Sequence, residues 1–149
     1  INNADTTLYS TWSNRYRDTC TSTTPACENR PHIWDGDVVE LGKILKNKPP
    51  SKYAPYFHML YRSTSQERLD TCISNKKRCA DIYDGEFAEI GYVLKEAPPE
   101  KYEEKIIPIY STWSGSRADT CTATKRACGG QTSIYTGTTG VSGYVVKMD

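Results

Sequence analysis

Apolar positions along the chain fall in short runs rather than in helical stripes. The segment Val38-Val39-Glu40-Leu41-Gly42-Lys43-Ile44-Leu45 and its counterpart Gly91-Tyr92-Val93-Leu94 are rich in β-branched and aromatic residues and bounded by turn formers. That is the pattern of strands. No segment carries an apolar stripe of helical period, so no helix is expected; residues 101–105 have room for a short helical turn, which is not predicted. The dipeptides Asp35-Gly36 and Asp84-Gly85 predict hairpin turns, because glycine tolerates the positive φ that such turns require. Pro49-Pro50 and Pro98-Pro99 separate the strand groups, since proline lacks a backbone donor and cannot continue a helix. The expected class is all-β, with about four short strands in each of the units described next.

The pattern occurs three times. Tyr9-Ser10-Thr11-Trp12-Ser13 returns as Tyr110-Ser111-Thr112-Trp113-Ser114 and, more loosely, as Tyr61-Arg62-Ser63-Thr64-Ser65. Each copy then reaches Asp-Thr-Cys, at Asp18-Thr19-Cys20, Asp70-Thr71-Cys72 and Asp119-Thr120-Cys121. Six residues separate that cysteine from a second one, Cys27, Cys79 or Cys128. An Ile-aromatic-x-Gly motif follows at 33–36, 82–85 and 134–137, and then a further glycine, Gly42, Gly91 or Gly143. The 149 residues thus divide into repeats of about 7–53, 54–102 and 103–149 within a single domain. One unit alone could not bury an apolar face. Three sharing a core are expected, in a pseudo-threefold β-trefoil-like fold or, alternatively, a β-prism-like one.

Composition changes this picture in two respects. Hydrophobic residues make up only 37% even with tyrosine counted, against a usual ~45–50%, so covalent support is expected. Six cysteines allow fifteen pairings in principle. Threefold repetition favours three equivalent bridges within units or a cyclic exchange between them, and a loop of this length closes easily across a hairpin. The prediction is Cys20–Cys27, Cys72–Cys79 and Cys121–Cys128. A zinc site fits less well, because zinc pairs lie closer in sequence, and His32 and His58 stand at non-equivalent places. Disulfides imply an oxidising, secreted location. The chain opens at Ile1 without a basic-then-apolar leader, as expected if such a leader has been removed.

Charge narrows the partners. Nineteen basic against eighteen acidic residues leave a net charge of +1, which argues against a general nucleic-acid binder. No apolar run is long enough to predict membrane insertion. The sequence has no nucleophile elbow, phosphate loop or zinc-protease helix, so catalysis is not expected. No cofactor or metal is expected either. Asp35-Gly36-Asp37 and Asp84-Gly85-Glu86 read as turns, because the third copy, Thr136-Gly137-Thr138, carries neither acid.

Candidate binding groups come from equivalence among the copies. Asp18, Asp70 and Asp119 either accept backbone N–H bonds at a strand start or accept hydroxyl hydrogens from a ligand. Arg17, Arg68 and Arg117 stand beside them, and a guanidinium fork suits a carboxylate. Trp12 and Trp113 are equivalent, with Thr64 in their place in copy two. Their rings either pack in the core or offer a flat face to the C–H side of a pyranose. Lys76-Lys77-Arg78 and Lys125-Arg126 make two of the three cysteine loops basic, which draws anions.

Over all three units the chain resembles small secreted triple-repeat lectins, among them the galactose- or galacturonic-acid-binding lectins of sea-hare gonads and eggs. It also looks like the Leu-Tyr-Arg-type repeats of secreted bacterial hydrolases, where the aspartate precedes an aromatic pair instead of Thr-Cys. The lectin resemblance implies carbohydrate binding without catalysis. Up to three weak sugar sites would together bind cell-surface glycans or polysaccharides and agglutinate cells, with self-association left open. The expected sugar-binding residues are Trp12, Arg17, Asp18, Arg68, Asp70, Trp113, Arg117 and Asp119. Copy two departs from the others by losing its tryptophan and by shortening between Cys79 and Ile82. Two other readings stay open: a disulfide-stapled protease inhibitor with Lys125-Arg126 as bait, and a structural egg or mucus protein.

Overall fold

The computed structural model describes residues 5–66, 71–79, 83–96, 106–115, 119–126, 128, 135–137 and 139–146. The runs rich in β-branched residues form strands, as expected. Among the described residues there are nine: β1 (Asp5–Ser13), β2 (Asp18–Ser22), β3 (Val38–Leu45), β4 (Phe57–Thr64), β5 (Thr71–Ser74), β6 (Phe87–Leu94), β7 (Ile106–Ser114), β8 (Asp119–Ala123) and β9 (Thr139–Val146). All the pairings are antiparallel, and they link the strands into one open sheet. Residues 101–105 lie outside the described residues.

One pairing scheme recurs along the chain. β1 lies between β2 and β3, β4 between β5 and β6, and β7 between β8 and β9. Each set carries a register shift at the same place, between Leu8 and Tyr9, Leu60 and Tyr61, and Ile109 and Tyr110. Among the described residues the sets have three strands each, against the expected four or so. The Ile-aromatic-x-Gly segment explains the difference, because it forms turns: in copy one the Ile33 and Trp34 amides both donate to the Arg30 carbonyl. Nor does Asp35-Gly36 close a hairpin. The Gly36 amide donates to the Trp12 carbonyl at 2.8 Å, and the Asn14 amide donates to Asp35 Oδ1 at 3.1 Å. A Cβ on Gly36 would stand 2.6 Å from Trp12 Cδ1. Glycine is needed there for close approach rather than for positive φ.

The sets meet through their last strands. Leu45 of β3 pairs with Tyr92 of β6, Leu94 of β6 with Tyr144 of β9, and Lys43 of β3 with Val146 of β9. Each crossing is made beside a glycine. A Cβ on Gly42 would lie 2.7 Å from the Val146 carbonyl oxygen, and one on Gly91 2.8 Å from that of Leu45. A Cβ on Gly143 would collide with the side chain of Val93. Gly42 and Gly143 also hold positive φ, 151° and 156°, which side chains disfavour. Around this crossing lies the main core of Leu8, Leu41, Ile44, Leu60, Ile73, Ile90, Val93, Ile109 and Val145. The equivalent residues Leu8, Leu60 and Ile109 are all 0% exposed, and each contributes about 1.5–3 kcal/mol by leaving water.

The Asp-Thr-Cys motifs join the sets at their short strands. The Thr71 hydroxyl donates to the Thr19 carbonyl at 2.6 Å, and the Thr19 hydroxyl donates to the Thr120 carbonyl at 3.3 Å. Tyr83 Oη and Thr120 Oγ1 lie 3.0 Å apart. The three disulfides form as expected, Cys20–Cys27, Cys72–Cys79 and Cys121–Cys128. Two make small cores of their own: Cys20 and Cys27 with Ile33, Trp34 and Tyr16, and Cys121 and Cys128 with Tyr135. The lean composition is therefore divided among a central core and covalently closed satellites.

Gly143→Ala is expected to destabilise the chain by about 2–4 kcal/mol, the combined cost of overpacking and an unfavourable φ. Nothing lies within 4 Å of a Cβ on Gly140, so Gly140→Ala should stay within about 0.5 kcal/mol of the parent. Urea denaturation midpoints compare the two; equal effects would contradict the crossing as described.

Candidate functional site

The sets do not meet seamlessly. Between the first set and the cysteine loop of the third lies a cleft of about 520 Å³. Ser10 and Trp12 of β1, Thr19 of β2, and Asp37, Val39 and Leu41 on and before β3 form one wall. The other is built from Thr122, Ala123, Thr124, Lys125, Tyr135 and the Cys121–Cys128 bridge. Its size falls in the range of small-molecule sites.

Trp12 is fixed in this wall by its backbone and its ring. Its amide donates to the Asp37 carbonyl at 3.0 Å, its carbonyl accepts from Gly36, and its indole Nε1 donates to Asn14 Oδ1 at 3.2 Å. An aromatic ring held this way loses little freedom when a ligand arrives. Val39 is 54% exposed and adds an aliphatic surface beside it. Across the gap the disulfide holds the loop that carries Lys125. Exposed Asp37 and Lys125 bring opposite charges to the same cleft, and Ser10, Thr19, Thr122 and Thr124 bring hydroxyls. The lining includes no histidine, and its two cysteines are bonded to each other. Such a site can hold a molecule with one apolar face, several hydroxyls and a charge.

Of the residues singled out by sequence, Trp12 lines the cleft. Asp18 is 4% exposed, with Oδ1 accepting from the Thr19 amide at 2.8 Å and Oδ2 from the Thr71 amide at 3.3 Å. It is a strand-start carboxylate that ties the first set to the second. Arg17 is exposed in the turn after β1, with φ 55° and its amide donating to the Ser13 carbonyl. Trp113 is held like Trp12, its carbonyl accepting from the Gly137 amide at 2.8 Å. Asp119 begins β8, and its side chain lies outside the described residues. Arg68, Asp70 and Arg117 lie outside them altogether. In the sequence Lys125 reads as loop charge or inhibitor bait, and Asp37 as part of a turn. No local signal joins them, because the cleft takes one wall from copy one and the other from copy three. Arg126, beside Lys125, lies over the Tyr110 ring at 4.9 Å, a cation–π contact that holds it against its own set.

Smaller gaps lie at the other two junctions. One of about 200 Å³ is lined by Arg62, Ala88, Glu89 and Ile90 of the second set and by Ser22, Thr23 and Thr24 of the first. The other, of about 300 Å³, is lined by Val141, Ser142 and Gly143 of the third set, by Ser74 and Asn75 of the second, and by His58, Lys95 and Glu96. His58 Nδ1 is buried there without a hydrogen-bond partner. Burial first, and the Lys95 ammonium second, lower the pKa of His58 below its ordinary 6.5.

The unfolded chain therefore takes up this proton more readily than the folded one. Stability should be intact above pH 6.5 and fall as the pH drops through the lower folded-state value. His58→Thr, which installs the residue found at the matched position 6, should flatten that decline in denaturation midpoints. Parallel curves for the two chains would show that another group is responsible. No protein-family model, curated protein sequence or solved structure matches the chain, so the chemistry of the cleft itself is the guide to function.

Proposed function

We propose that the chain is a secreted, non-catalytic carbohydrate-binding protein whose site is the cleft between β1–β3 and the third cysteine loop. Its ligands are galactose-type sugars and uronic acids such as galacturonic acid. The observation that carries this reading is the pinned Trp12 in the same cleft as Lys125. A pyranose lays its C–H face on the indole. Its hydroxyls exchange hydrogen bonds with Asp37, Thr19, Thr122 and Thr124, and a carboxylate meets the Lys125 ammonium. The lining has the few polar groups on a mainly apolar wall that orient a small ligand. Three disulfides support an extracellular location. The recurring pairings and the glycine crossing support reading the three sets as pseudo-threefold, trefoil-like units of a single domain.

Competition with free sugars tests this. Galacturonic acid and galactose should each displace the chain from an immobilised galacturonate polymer, the acid more strongly. Lys125→Ala should weaken galacturonic acid about fivefold, since an exposed ion pair contributes up to about 1 kcal/mol, and leave galactose nearly unchanged. Equal loss for both sugars would remove the carboxylate role of Lys125. Failure of every sugar in a broad panel would end the carbohydrate reading.

A further inference from the structure

Resting on that reading, we propose that each chain carries a single sugar site. At the other two junctions a side chain from the sheet crosses the gap and takes the backbone acceptor that a ligand would use. β2, β5 and β8 pair only with β1, β4 and β7 respectively, so each has one edge turned toward a neighbouring set. Such an edge presents backbone donors and acceptors. Thr21, Ile73 and Thr122 stand at the same position of the three short strands, each following the first cysteine of its copy.

At the second junction Arg62, only 7% exposed, donates from Nη1 to the Thr21 carbonyl at 2.8 Å. Its guanidinium occupies the space that remains open in the first cleft. At the third junction the Ser142 hydroxyl is 3.3 Å from the Ile73 carbonyl and 2.7 Å from Ser111 Oγ, which joins the two walls. The first cleft holds Ser10 where the second has Arg62, and Leu41 where the third has Ser142. Serine 10 is too short to reach as an arginine does, and leucine has no donor. Among the described side chains none donates to the Thr122 carbonyl. Divergence at these positions leaves one gap open at about 520 Å³ against about 200 and 300 Å³.

The second junction has lost more than space. Thr64 replaces the tryptophan, and Thr24 stands where Lys125 does, its hydroxyl donating to the Ala26 carbonyl at 2.7 Å. The third junction is the closer contest, because Trp113 and Lys76 occupy the matched positions. There the Ser142 bridge separates a closed gap from an open one. A consequence follows for agglutination: a chain with one site can cross-link cells only by associating with further chains.

Backbone-amide NMR of the intact, disulfide-bonded chain titrated with galacturonic acid tests this. Shifts should cluster at residues 10–12, 37–41 and 121–125 and follow one binding curve. In Ser142→Leu, which copies Leu41, a second cluster should appear at 73–76 and 111–113. A second or third cluster in the parent chain would overturn the single-site proposal while leaving the carbohydrate reading intact. A folded Ser142→Leu chain that still shows only one cluster would overturn the Ser142 bridge as what closes the third junction. If no shifts occur with galacturonic acid, galactose or a panel of other sugars, the carbohydrate reading fails and this proposal with it.

Discussion

The structure depends on three strands crossing at glycines. β3, β6 and β9 approach so closely at Gly42, Gly91 and Gly143 that a Cβ at each would overlap a valine or isoleucine side chain or a carbonyl of the next set. A repeat too short to bury its own apolar face gains a core only by this approach, because Leu8, Leu60 and Ile109 are covered where the sets converge. The contacts run cyclically: Gly42 against the third set, Gly91 against the first, Gly143 against the second. That order brings the cysteine loop of one copy against the sheet of another. The cleft is a product of the same convergence.

At the opposite end the Asp-Thr-Cys motif does a related job with polar groups. Hydroxyls of Thr19 and Thr71 cross between sets, and the buried Asp18 carboxylate accepts amides from two of them. A buried charge requires such partners. The motif that is most regular in the sequence is thus occupied in joining repeats. Differences between copies mark the cleft instead: Ser10 against Arg62, Leu41 against Ser142, Lys125 against Thr24.

This explains what the sequence made legible. Strand class and disulfide pairing follow from local spacing, and local spacing is well recorded in a repeat. Asp35-Gly36 carries the signature of a hairpin, yet in copy one no strand lies between β2 and β3. That signature cannot distinguish a turn between strands from a bend docked on Trp12, and the deciding contact is the Gly36 approach to the indole. Trp12 was legible as a candidate by its chemistry. Its partner Lys125 was not, because more than a hundred residues separate them and only the cyclic order of the sets brings them together. Asp18 had two readings in sequence, and its burial assigns it to the structural one.

The proposed sugar site takes its walls from two copies, with Trp12 on one and Lys125 on the other. A crystal structure of the chain soaked with galacturonic acid tests it most directly. A pyranose stacked on Trp12 with its carboxylate toward Lys125 is the expected result. A sugar bound instead at the Arg17 turn, with this cleft empty, would contradict it.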